Sequence, residues 1–150
     1  LLEHKTTLQK SSYVLDIGTG SGVLAIASVL LGANTVTAVE RDIDALTNAR
    51  QNINRNGLST RIRTIHTELS ELQDFDLPRP DIILANLTGA AFQKHQYLFE
   101  TLGRPSGLLM ASGLTESEEQ TTRMAFESKL AIESRHEEDG WVCLVFRYHC

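Results

Sequence analysis

Val14-Leu15-Asp16-Ile17-Gly18-Thr19-Gly20-Ser21-Gly22 sets one carboxylate among aliphatic residues and then places glycine at every second position. A turn without Cβ atoms lets backbone approach a ligand that side chains would push away, and a helix opening after it turns its N-terminus toward that ligand. Glu40 closes the next aliphatic run, about twenty residues beyond the turn, where a carboxylate can accept hydrogen bonds from both hydroxyls of a ribose. The alternative for Glu40 is a surface acid that ends a strand. Asp16 either meets an amino group of the ligand or pins the glycine turn through backbone N–H groups. Glu68 either accepts a hydrogen bond from an adenine amino group or is a solvated loop acid. Asn86 is either a polar group beside the reacting centre or a turn asparagine without chemical duty. A dinucleotide fingerprint needs glycine at position 23, and Val23 stands there.

These residues need elements to hold them. Val14 to Ile17 reads as a buried parallel strand, and Val23 to Leu31 as a buried helix stopped by Gly32-Ala33-Asn34. Thr35 to Glu40 is a second strand. Asp42 or Asp44 caps a helix whose Leu46, Ala49 and Ile53 share a face, and Asn56-Gly57 ends it. Arg61 to His66 is a polar strand suited to a sheet edge, Leu69 to Pro80 a loop, and Asp81 to Asn86 a fourth strand. Ala90 to Leu102 reads as a helix, Leu108 to Ser112 as a strand, and Thr115-x-x-Glu118 as a capping box opening a helix that runs to about Leu130. Ala131 to Glu138 and Trp141 to Tyr148 flank Asp139-Gly140, a hairpin signal. The alternation predicts a Rossmann-like, doubly wound α/β fold: a mostly parallel, seven-stranded sheet with a C-terminal antiparallel hairpin strand. Residues 1–10 are expected to form a lead-in helix or its remnant.

Composition narrows the function classes. One domain accounts for 150 residues, with 41% hydrophobic and 22% charged content. A net charge of −5 argues against direct nucleic-acid binding through phosphates. The longest apolar run is too short to span a membrane. Cys143 and Cys150 lie outside any C-x-x-C spacing, which fits a reduced cytoplasmic protein, and the five scattered histidines form no metal-ligand cluster, so no metal is expected. Glu116, Glu118 and Glu119 read as a solvated acidic face. Tyr13, Trp141 and Phe146 read as core. Ile17, Ile43 and Leu69 are apolar walls for an adenine or else core.

The acid-x-G-x-G-x-G turn resembles the first motif of S-adenosylmethionine-dependent methyltransferases. Together with Ala38-Val39-Glu40, Ala85-Asn86-Leu87, Ser112-Gly113-Leu114 and the tail from Asp139 to Arg147, it resembles the bacterial methyltransferases that modify lysine in large-subunit ribosomal protein eleven. The likeness covers nearly the whole chain after Tyr13. It implies S-adenosylmethionine as cofactor, with Asp16, Gly18, Thr19, Gly20, Gly22, Glu40, Arg41, Glu68 and Asn86 as its binding residues. It further implies Asn86 and the Leu87 carbonyl as the catalytic groups that orient an acceptor amine, and a protein substrate from the large ribosomal subunit. That family also carries an N-terminal recognition domain, for which this chain leaves no room, and its His-Pro-Thr-Thr element is only echoed by His4-Lys5-Thr6-Thr7. The expectation is therefore a catalytic domain, excised or stand-alone. The alternatives are transfer to another protein or a small molecule, or a non-catalytic S-adenosylmethionine-binding subunit.

Overall fold

The computed structural model describes residues 12–150, so the lead-in helix expected over residues 1–10 lies outside the described residues. Seven strands form one sheet in the order β3-β2-β1-β4-β5-β7-β6, the Rossmann-like α/β class read from the sequence. The chain divides into two compact units, one ending at Pro78 and the other spanning Arg79–Cys150.

In the first unit, β1 (Tyr13–Ile17), β2 (Thr35–Glu40) and β3 (Ile62–His66) pair in parallel, with Asp16 opposite Ala38 and Glu40 opposite His66. Val14, Leu15, Val36, Ala38 and Val39 are buried, as the near-continuous apolar runs of parallel strands require. Helix α1 (Val23–Leu30) follows the glycine turn, and its Ala25, Ser28 and Val29 are buried. It is less enclosed than its composition predicts, since Val23 and Leu30 are 63% and 69% exposed. Helix α2 (Ile43–Arg55) starts where Asp42 Oδ1 accepts the N–H groups of Asp44 and Ala45, and it buries Leu46, Ala49 and Ile53. The segment read as a loop opens with a short 3-10 helix, Leu69–Asp74, fastened by the buried Leu72.

In the second unit, β4 (Ile82–Asn86) and β5 (Leu108–Thr115) are parallel, whereas β7 (Trp141–Tyr148) is antiparallel to both β5 and β6 (Leu130–Glu138). Asp139 and Gly140 both have positive φ, as a two-residue hairpin turn with the twist of its strands demands. The single helix expected over Ala90 to Leu102 is two: α3 (Gly89–Lys94) and α4 (Gln96–Leu102), parted at His95 by a backbone of φ −111° and ψ 24°. Helix α5 (Glu116–Phe126) ends four residues earlier than expected, because Leu130 is drawn into the ladder opposite Tyr148. The core of this unit is aromatic. Phe126 meets Phe92, Phe99 and Phe146 edge-on at ring-centroid distances of 6.2, 6.2 and 5.4 Å, and all four side chains are fully buried.

Trp141, expected in the core, is 58% exposed. The two-residue period of β7 buries Val142 and Leu144, which puts Trp141 on the other face. Phe146 is buried as expected.

Candidate functional site

The glycine turn is clamped by the elements around it. The N–H groups of Gly18 and Thr19 both donate to the Val39 carbonyl, at 2.9 and 3.0 Å, and Asn52 of α2 donates to the Ser21 carbonyl at 2.9 Å. Gly18, Gly20 and Gly22 all lie in the left-handed region. Gly20 and Gly22 nevertheless have different tasks. A Cβ on Gly22 would stand 3.3 Å from the Ala49 Cβ, so this glycine lets α2 pack against the turn. A Cβ on Gly20 would meet nothing within 4 Å, so Gly20 borders open space.

Glu40 is tied to that same glycine. Its Oε2 accepts the Gly20 N–H at 3.0 Å, and its Oε1 accepts the N–H groups of Arg41 and Asp42 at 2.9 and 3.1 Å. An ionised carboxylate offers about four acceptor positions, so three amides fix its orientation and leave acceptor capacity on Oε2, beside the open face of Gly20. Because the Gly20 N–H is taken by Glu40, Gly20 gives a ligand room rather than a donor. The β2 end is tied further by Thr67 N–H to the Glu40 carbonyl (3.1 Å) and by a 2.8 Å contact between His66 Nε2 and the Arg41 carbonyl.

Asp16 is 1% exposed. Its Oδ2 accepts the Thr19 hydroxyl at 2.5 Å, and its buried Oδ1 has no hydrogen-bond partner. One oxygen thus pins the turn through the Thr19 hydroxyl, and the other is left without a partner of its own. Burial pushes the carboxyl up to about pKa 6; the Thr19 hydroxyl and the Ala25 amide act against this, and the Glu40 charge adds to it. Folded Asp16 therefore holds its proton to a higher pH than unfolded Asp16, and stability falls as pH rises through about 4 to 6. Asp16→Asn keeps an acceptor for Thr19 and cannot ionise. Urea unfolding should show the stability difference moving in the variant's favour by up to about 3 kcal/mol between pH 4 and pH 7. A constant difference would mean that Asp16 does not titrate in this window.

Of the other cofactor-side candidates, Arg41 and Glu68 are exposed, and Glu68 is the residue ahead of the 3-10 helix. Ile17 is core, Ile43 is 49% exposed, and Leu69 is half-buried.

The second unit gathers the other motifs. Asn86 is exposed at the end of β4, and Leu87 N–H donates to the Ser112 carbonyl at 3.0 Å. Between Ala111 and Leu114, β5 takes three steps while β7 takes two, from Leu144 to Val142, which is a β-bulge. The bulge carries Gly113 at φ +80° directly against Asn86: a Cβ there would collide with Asn86 Oδ1 and lie 3.0 Å from the Leu87 carbonyl oxygen. The Ala-Asn-Leu and Ser-Gly-Leu segments are therefore one structure.

Residues 1–149 match the family model of ribosomal protein L11 methyltransferase (PrmA). The chain belongs to this family. A ribosomal protein L11 methyltransferase of Pelotomaculum thermopropionicum is 38% identical over 140 residues, covering 89% of this chain, and one of Azotobacter vinelandii is 34% identical over 131 residues, covering 86%. In each case the chain spans only 43% of the relative's length. Among solved structures, the ribosomal protein L11 methylase of Lactobacillus delbrueckii subsp. bulgaricus superposes with a TM-score of 0.87 at 25% identity, covering 99% of this chain and 76% of that one.

Membership in the L11 methyltransferase family agrees with the resemblance read from the sequence. Three features of the site were not read there. The bond of Glu40 to the Gly20 amide and the contact of Gly113 with Asn86 depend on which strand ends meet. The third is Glu118, expected on a solvated face. Its Oε2 accepts the N–H (3.0 Å) and hydroxyl (2.8 Å) of Thr115, closing the capping box, while its Oε1 accepts the Gly89 N–H at 3.0 Å. These bonds hold its carboxyl below the usual range, those from Thr115 contributing most. The capping box was legible; the bond to Gly89 was not.

Proposed function

We propose that this chain is the S-adenosylmethionine-binding, catalytic portion of a methyltransferase that modifies an amine of a large-subunit ribosomal protein, either a lysine side chain or the N-terminal amine. The observation that carries this reading is the family match over residues 1–149. The residues suit the cofactor: Glu40 keeps acceptor capacity for the ribose hydroxyls, Gly20 borders open space, and the orphaned Asp16 Oδ1 is an acceptor without a donor. Gly18, Thr19, Arg41 and Glu68 complete the proposed binding set, and Gly22 serves it by letting α2 pack against the turn. When bound, S-adenosylmethionine supplies an activated methyl on a sulfonium.

The chain's own residues would then prepare the acceptor. A lysine amine has an unperturbed pKa near about 10.4, so it must shed its proton before it can attack. Acceptor groups and a desolvated position favour the neutral amine, and alignment supplies much of the rate. The Asn86 side-chain oxygen and the Leu87 carbonyl are assigned to hold it. The setting is cytoplasmic, consistent with the free thiols of Cys143 and Cys150.

The test uses the chain, S-adenosylmethionine labelled on the methyl, and purified ribosomal protein L11, with mass spectrometry locating any added methyl. Slow but site-specific transfer to an amine is expected, because the rest of the length found in the relatives would contribute to recognition. Asn86→Ala should lower turnover more than it lowers cofactor affinity. Equal losses would make Asn86 a cofactor ligand instead, and label on other proteins but not on L11 would reassign the substrate.

A further inference from the structure

We infer that Glu118 is a positioning residue: its carboxylate locks the Asn86–Gly89 segment in place from the start of helix α5. This rests on the reading of Asn86 and Leu87 as the groups that hold the acceptor. The segment leaves β4 at Asn86 and enters α3 at Gly89, and three contacts fix it. Leu87 N–H is held by the Ser112 carbonyl, Gly113 closes against Asn86 Oδ1 and Leu87 O, and the Gly89 N–H is held by Glu118 Oε1. The first two come from β5. Only Glu118 belongs to a helix, and it serves two helices at once, α5 through Thr115 and α3 through Gly89.

The packing agrees with a lock. Gly89 is buried, and a Cβ on it would stand 2.8 Å from the Glu118 Cβ, so the backbone at Gly89 lies directly on the Glu118 side chain. Thr88 caps the same helix from its own side, accepting the Ala91 N–H at 3.3 Å, but the Gly89 amide is reached by Glu118. Glu118 also needs both oxygens, one for each helix. Glutamine serves equally in a capping box but has a single acceptor oxygen. In Glu118→Gln that oxygen stays with Thr115, and the amide nitrogen is left facing the Gly89 N–H. Thr115→Ala does the reverse: it removes a cap hydroxyl and leaves the Gly89 bond intact.

The two variants therefore separate the lock from the cap. Amide exchange by NMR in Glu118→Gln should show the Gly89 N–H exchanging about tenfold faster, as expected for loss of one part-buried hydrogen bond, with a modest fall in the urea midpoint. Thr115→Ala should lower the urea midpoint and leave Gly89 protected. With saturating S-adenosylmethionine and ribosomal protein L11, Glu118→Gln should lower kcat with little change in KM for the cofactor, and Thr115→Ala should leave kcat alone. Unchanged Gly89 exchange in Glu118→Gln, or equal kcat losses in the two variants, would overturn the inference. If the unmodified chain transfers no methyl to L11, the substrate reading fails, and the exchange pattern alone still decides whether Glu118 holds the segment.

Discussion

Gly20→Val should abolish S-adenosylmethionine binding in a calorimetric titration. Gly20 has φ +55°, a conformation that costs an ordinary L residue about 1–2 kcal/mol and is worse for a β-branched one. The valine side chain would also occupy the open space beside Glu40 Oε2. Some loss of stability accompanies the loss of binding, so a second variant separates the two. Asparagine tolerates the left-handed region, and Gly20→Asn places a side chain in the same space with little strain. It should fold nearly as the unmodified chain does and still fail to bind. Normal affinity in Gly20→Asn would mean that the ligand does not pass this glycine.

Glu40→Gln should weaken cofactor binding by about 1.5–3 kcal/mol, tenfold to a hundredfold or more in Kd, through loss of a charge-assisted hydrogen bond. It should also cost about 1 kcal/mol of stability. The carboxylate serves Gly20, Arg41 and Asp42 through both oxygens, and an amide would turn an NH₂ toward at least one of those donors. Glu40 therefore shapes the turn as well as offering itself to a ligand. A stability loss with unchanged affinity would reduce it to the first task.

Local signals in the sequence carried most of the architecture. The helix cap read at Asp42 or Asp44, the Thr115 capping box, the Asp139-Gly140 hairpin and the parallel apolar runs each depend on neighbours within a few residues; the cap is Asp42, and the others stand where they were read. The break at His95 was missed because no glycine or proline marks it. The exposed Trp141 was missed because an aromatic residue at a strand start does not reveal which face the two-residue period assigns it. In the site, Asp16, Gly20 and Glu40 were picked out by type and spacing, but the bond that joins Gly20 to Glu40 is non-local. Gly20 reaches Glu40 because β1 and β2 lie side by side, and Gly113 reaches Asn86 because β5 lies beside β4 and carries a bulge. Gly22, read with the ligand-facing glycines, packs on Ala49, a contact that only the position of α2 discloses.

The most direct measurement is a pair of calorimetric titrations of the chain, one with S-adenosylmethionine and one with NAD. Binding of S-adenosylmethionine at one site with a Kd in the micromolar range, near about −8 kcal/mol, and no binding of NAD is the expected result. Absence of S-adenosylmethionine binding, or tighter binding of NAD, would contradict a methyl-donor site at the glycine turn.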